Sequence, residues 1–141
     1  MKTFLLKDKI PIIKWGRIAD ETYFEGNIPE GYSLAICPHK GYIVLDIDRH
    51  GEIDGFKHLP QELLPEINKT FTYDTLNKGK HIWFKYTGTK ELKNRSSKLG
   101  IDLRTEKGYV RWYMDKDIRS YIHLIQPTSP EMNNWIELLF F

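Results

Sequence analysis

The chain has 141 residues and a formal charge of +2, a length that buries a real core without disulfides or a structural metal. Its one cysteine, Cys37, excludes an internal disulfide framework and a cysteine-based zinc site within one chain, and no run approaches the roughly 20 apolar residues that span a bilayer. These features are those of one reduced, cytoplasmic domain over residues 1–141 without membrane association, and the near-neutral charge leaves nucleic-acid binding to be judged from local patches.

The leading segment "FLLKDKIPIIKW" is apolar, but Pro11 disfavours a continuous helix, and Trp15 is expected to anchor it. Lys7, Asp8 and Lys9 interrupt the run, which is too short to read as a signal peptide. "YSLAICPHKGYIVLDID" reads as two strands joined at residues 38–41, where Pro and Gly punctuate the pattern. The second strand ends in Asp46 and Asp48. Side chains alternate along a strand, so Ile43, Leu45 and Ile47 face one way and Val44, Asp46 and Asp48 the other. Two carboxylates on one face ionise together cheaply only with a cation, a proton or water between them, and a divalent metal is the natural third party.

"GEIDGFKHLPQELLPEIN" has helical spacing of Ile53, Phe56, Leu59, Leu63, Leu64 and Ile67, and Pro60 and Pro65 limit it to short helices. "TFTYDTL" and "HIWFKY" flank "NKGK" as strand, turn and strand. In the second of these, Ile82, Phe84 and Tyr86 face the core, and His81, Trp83 and Lys85 the other side. Trp83 therefore shares the face of His81, where it could touch a ligand bound there, although Trp15, Trp83, Trp112 and Trp135 read first as packing residues. "IDLRT" turns Ile101 and Leu103 inward and Asp102 and Arg104 to the opposite face; the turn "EKG" and a strand "YVRWYM" follow. "SYIHLIQ" is a further strand candidate. A last helix starts at Ser129, with Pro130 at its first position. His39, His50, His58 and His123 carry no metal-ligand spacing. The sum is an α+β domain with a mostly antiparallel sheet and a few helices.

If the polar faces converge, the site holds three carboxylates, a histidine, an arginine and nearby lysines. Two-metal phosphoryl or nucleotidyl transfer requires such a set: carboxylates to hold cations, and cationic donors to bind a triphosphate. Residues 78–107 add a basic excess, with Lys78, Lys80, Lys85, Lys90, Lys93, Arg95, Lys98, Arg104 and Lys107 against Glu91, Asp102 and Glu106. This composition suits phosphate-bearing ligands, and equally a solvated lysine-rich surface.

In order, "YIVLDIDRHG", "NKGKHIWFKY" and "GIDLRTEKGYVRW" resemble the amino-terminal catalytic domain of the bifunctional DNA primase-polymerases, within the archaeo-eukaryotic primase superfamily. That family has a hydrophobic strand ending in Asp-x-Asp or Asp-x-Glu, a Ser-Gly-Gly-x-His turn into an aromatic strand, and a Gly-Ile/Val-Asp-x-Arg segment. "IPIIKW" and "GYSLAICPHKG" also look like its upstream parts, so the resemblance covers about residues 11–112. Asn77 stands where the family usually has Ser, Lys78 where it has Gly, and "YMDKD" replaces a Pro-Ser segment.

The resemblance implies a primase-like core with an RRM-like sheet. It implies Asp46, Asp48 and Asp102 as metal-binding and catalytic carboxylates for Mg2+ or Mn2+, with His81, Lys80, Asn77 and Arg104 as nucleotide-binding residues. The implied reaction is template-directed attack of a 3′-hydroxyl on a nucleoside triphosphate. The implied partners are a single-stranded DNA template and a separate replicative helicase, and the implied setting is a phage, plasmid or other mobile element in the cytoplasm of a bacterial or archaeal host. Two other functions compete. One is a non-catalytic nucleic-acid-binding replication module, which would use the basic stretch 93–98 and be indifferent to Asp46. The other is a metal-dependent nuclease, disfavoured because Glu106 and Lys107 are adjacent in a turn and alternation separates them.

Overall fold

The computed structural model describes residues 1–141. β1 (Lys2–Lys7) buries four residues in a row and turns through Asp8 and Lys9, both at positive φ, into the short β2 (Ile10–Pro11). β3 (Tyr32–Cys37) pairs antiparallel with β1, and Gly41, at φ 95°, turns the chain into β4 (Tyr42–Ile47). β5 (Arg49–His50) and β6 (Ile53–Asp54) form a small hairpin. Two 3-10 turns and α1 (Leu64–Ile67) follow, each kept short by the prolines, as the sequence leads one to expect. β7 (Thr72–Asp74) and β8 (Lys80–Lys85) make the expected hairpin around "NKGK". β9 (Arg95–Ser96), β10 (Ile101–Arg104), β11 (Val110–Arg111) and β12 (Gln126–Pro127) complete the strands. α2 (Pro130–Phe140) closes the chain, its first turn capped by the Ser129 hydroxyl, which accepts from the Met132 backbone N–H at 3.1 Å.

Apart from the β5–β6 hairpin, the strands form two sheets. The larger has the order β12-β8-β4-β10-β9, with β7 sharing the β8 edge with β12, and the smaller has the order β11-β3-β1-β2. Every pairing between these strands is antiparallel except β12 on β8. The two strands around residues 38–41 do not pair with each other: β3 lies in the smaller sheet and β4 in the larger. The strand expected over "YVRWYM" is shorter than its apolar run, and it too pairs β3 in the smaller sheet.

Both faces of the larger sheet are covered, which is why β4 and β8 read as nearly unbroken apolar runs. Ile43, Leu45, Ile47, Ile82, Phe84, Ile101 and Leu103 pack against Leu63, Ile67, Met132, Ile136 and Phe140 of the helical layer. The opposite face buries Val44, Phe71, Tyr73 and Trp83 against Ile36 and Val110 of the smaller sheet, with Trp112, Ile118 and Ile125. The far face of the smaller sheet covers Phe4, Leu6, Ala35 and Cys37 with Trp15, Ile18 and Tyr109. Trp15 stacks on Phe4 at 5.8 Å, the anchoring expected of it.

"SYIHLIQ" is not a strand. It forms 3-10 turns at Ile118–Ser120 and Ile122–Leu124 before β12. Asp117 caps the first turn by accepting from the Arg119 backbone N–H at 2.7 Å. Ile118 and Ile125 are buried while Ile122 and Leu124 are exposed, a spacing that strand alternation cannot supply.

Lys78 stands at φ 61°, the left-handed conformation that costs an L-residue roughly 1 kcal/mol and glycine little. Lys78→Gly is therefore expected to raise stability by about 0.5–1 kcal/mol, read as a higher midpoint in urea unfolding.

Candidate active site

Strand register builds the site. Asp46 of β4 lies opposite Asp102 of β10 on one side and His81 of β8 on the other. His81 in turn lies opposite Tyr73 of β7. One row across four strands thus carries two carboxylates, an imidazole and a phenol, on the face that elsewhere buries Val44 and Trp83. Asp48 supplies a third carboxylate one alternation further on. It lies just past β4, yet its backbone stays in line: its N–H donates to the Gly100 carbonyl at 2.8 Å, and its carbonyl accepts from the Gly55 N–H at 2.9 Å. The two glycines make this clamp possible, since a Cβ at Gly55 would stand 2.2 Å from the Gly100 carbonyl oxygen and Gly100 itself is at φ 85°.

Carboxylate oxygens of Asp46, Asp48 and Asp102 come within 4.8 Å of one another. Burial pushes the Asp48 carboxyl up, and repulsion from Asp46 and Asp102 adds to the rise. Burial also raises Asp102, where the Arg104 guanidinium opposes it and Asp46 reinforces it. Arg104 Nη2 donates to Asp102 Oδ2 at 3.2 Å. Three hard oxygen donors held together against their own repulsion fit a divalent cation of the Mg2+ or Mn2+ type.

The electrostatics carry a sign. Because the folded carboxyl of Asp48 lies above its unfolded value, this group's contribution to metal-free stability is full below about pH 4 and is lost as pH rises through the raised folded value. Asp48→Asn removes the charge. It is expected to raise the melting temperature of the metal-free protein at neutral pH and to shrink the further rise given by Mg2+, both read in thermal scans with and without the ion.

A cavity of about 340 Å³ opens on this face, with Asp46, Asp48, His81, Asn77 and Arg104 on its wall. Asp102 joins through its ion pair with Arg104 and its closeness to the other two carboxylates. Lys80 does not reach the cavity: alternation turns it away from His81, and its Nζ lies 3.2 Å from Asp74 Oδ1. Trp83 is fully buried and donates its indole N–H to the Tyr73 hydroxyl at 3.1 Å, so it packs the interior and is out of a nucleotide's reach.

Among the nine basic residues of 78–107, Arg104 alone is on the cavity wall. The other cations there are Lys9, Arg49 and Arg111, joined by His50. Arg49 and His50 directly follow Asp48, and that polar continuation was the signal that could have found them. Arg111 comes from β11 of the smaller sheet and Lys9 from the β1–β2 turn at its edge, a placement that no local pattern encodes. The Arg111 guanidinium lies 5.0 Å over the ring of Tyr113, which also lines the cavity.

Residues 7–127 match the sequence model of a family described as bifunctional DNA primase/polymerase, N-terminal. No curated protein matches the chain. No helix is long and apolar enough to cross a membrane.

Proposed function

Because the chain belongs to the bifunctional DNA primase/polymerase N-terminal domain family, we propose that it is a template-directed nucleotidyltransferase built as one domain on an archaeo-eukaryotic primase-like core. The observation that carries this reading is the meeting of three carboxylates, Asp46 and Asp48 among them on the wall of a cavity that also bears Lys9, Arg49, Arg104 and Arg111. Such a pairing of charges fits a metal-bound triphosphate better than either ion alone.

Asp46, Asp48 and Asp102 would hold one or two Mg2+ or Mn2+ ions, whose chemistry is to lower the pKa of an attacking hydroxyl and to offset charge on the leaving phosphates. The arginines and Lys9 bind and orient the phosphates, and Asn77 offers an amide N–H from the β7–β8 turn. His81 presents an imidazole N–H from the cavity wall. In the reaction, the 3′-hydroxyl oxygen of a primer loses its proton to water and forms a bond to the α-phosphorus of a nucleoside triphosphate, the bond to the α–β bridging oxygen breaks, and pyrophosphate leaves. A single-stranded DNA template and a separate helicase complete the proposed setting, the replication of a phage or other mobile element in the host cytoplasm.

The test is incubation with labelled ribo- and deoxyribonucleoside triphosphates, Mg2+ or Mn2+, and primed or unprimed single-stranded DNA. Metal-dependent extension of a primer establishes a polymerase, and products on unprimed template a primase. Salt-sensitive DNA binding that is unchanged by Asp46→Ala, with no product under any condition, would instead establish a non-catalytic binding module.

A further inference from the structure

Behind the carboxylates runs a chain of buried hydrogen bonds. Trp83 Nε1 lies 3.1 Å from the Tyr73 hydroxyl oxygen. That hydroxyl lies 3.0 Å from His81 Nδ1, and His81 Nε2 lies 3.3 Å from Asp46 Oδ1. Tyr73, His81 and Trp83 are 7%, 3% and 0% exposed, so these groups are satisfied by one another and not by bulk water.

The donors and acceptors can be assigned from both ends. An indole nitrogen only donates, so the Tyr73 oxygen accepts from Trp83 and has its single proton left for His81 Nδ1. An ionised carboxylate only accepts, so the ring nitrogen facing Asp46 carries a hydrogen. A neutral imidazole has one N–H, and both ends put it on Nε2 and leave the lone pair on Nδ1.

We propose that Tyr73 is a positioning residue that holds His81 as the Nε2–H tautomer, so that His81 meets Asp46, and a phosphate entering the cavity, as a hydrogen-bond donor and is barred from ligating metal through Nε2. The consequence for the metal rests on the reading of Asp46 as a metal ligand; the tautomer does not. A metal-binding imidazole needs a free lone pair on the nitrogen that faces the ion. Here Nε2 has none, and the one lone pair, on Nδ1, is taken by Tyr73. The carboxylates therefore keep the cation to themselves, and His81 sets the orientation of one of them.

The experiment is a two-bond proton–nitrogen correlation spectrum of the full chain labelled with 15N-histidine, in mildly alkaline buffer and without metal, with the His81 signals assigned by their loss in His81→Gln. The expected wild-type pattern is a protonated Nε2 and an unprotonated Nδ1 whose resonance is shifted upfield by the hydrogen bond it accepts. Tyr73→Phe should move that Nδ1 resonance downfield toward the position of a free acceptor. Asp46→Ala should retain the Nε2–H pattern, because Tyr73 still donates to Nδ1. A wild-type Nδ1–H pattern, two protonated nitrogens, an Nδ1 resonance unmoved by Tyr73→Phe, or a switch of tautomer in Asp46→Ala would each overturn the inference. Should Tyr73→Phe fail to fold, the wild-type and Asp46→Ala spectra still decide it, because an Nδ1 resonance without the upfield shift in either one shows that Tyr73 does not donate to it and overturns the inference. The spectra need neither nucleotide nor turnover, so a protein without polymerase activity leaves the inference standing, and an active polymerase with Nδ1–H overturns it alone.

Discussion

Asp46→Ala is expected to lower templated nucleotide incorporation by at least about 10³-fold, the scale on which a member of a catalytic constellation acts. Asp46 is the centre of the cross-strand row, with Asp102 beside it on β10 and His81 beside it on β8. Its removal takes away the carboxylate that the other two share, and it leaves the His81 N–H without its acceptor. The fold should survive, because the substitution also relieves repulsion on Asp48 and Asp102. Single-turnover extension of a primed template in Mg2+, together with a melting temperature no lower than that of the metal-free wild type, is the decisive pair of measurements. Activity within tenfold of wild type would remove Asp46 from the reaction. Asp46→Asn separates two roles, since an amide oxygen still accepts from His81 but ligates a divalent cation poorly; it should be nearly as inactive.

Gly79→Ala is expected to cost about 3 kcal/mol, at the upper end of what overpacking of a tight interior costs, and to reduce incorporation as well. A Cβ at Gly79 would stand 2.3 Å from the Ile47 carbonyl oxygen and 2.7 Å from Thr75 Oγ1. The first contact is backbone, so no side-chain rotation relieves it, and β8 must move away from β4 at the point where Asp46 and Asp48 flank Ile47. Urea unfolding reads the stability, and the extension assay reads the displacement of the row. The neighbouring Lys78→Gly should act in the opposite direction, so these adjacent turn positions separate a need for space from a need for a left-handed backbone.

How much of this was legible in the sequence depends on the range of the cause. Alternation along β4, β8 and β10 placed Asp46, His81 and Asp102 each on the polar face of its own strand, because that information is local and has a period of two. The three-motif resemblance implied that they act as a catalytic set, and the family match bears out the resemblance itself. The register that puts them side by side is a property of pairing, and it became visible only with the sheet. Tyr73 was passed over for the same reason: in "TFTYDTL" it reads as one more strand aromatic, and its role depends on lying opposite His81. Lys80 was assigned to phosphate from its nearness to the turn, yet the alternation that puts His81 in the cavity takes Lys80 out of it. Arg111 and the turn that carries Lys9 belong to another sheet altogether. "SYIHLIQ" has the composition of a strand, but Asp117 caps a 3-10 turn at its start, a local hydrogen bond that competes with strand pairing.

The passage of the chain from one sheet to the other at residues 38–41 has a mechanical consequence. The carboxylates sit on the larger sheet, while Arg111 and the β1–β2 turn bearing Lys9, on the same cavity wall, belong to the smaller one. On the proposed reading, a ligand that joins a cation to a polyphosphate tail would grip both walls at once and act as a removable tie between two layers. Occupancy of the cavity and rigidity between the layers would then be one thermodynamic quantity, and losing the tail as pyrophosphate would loosen the grip at the moment when the product has to leave.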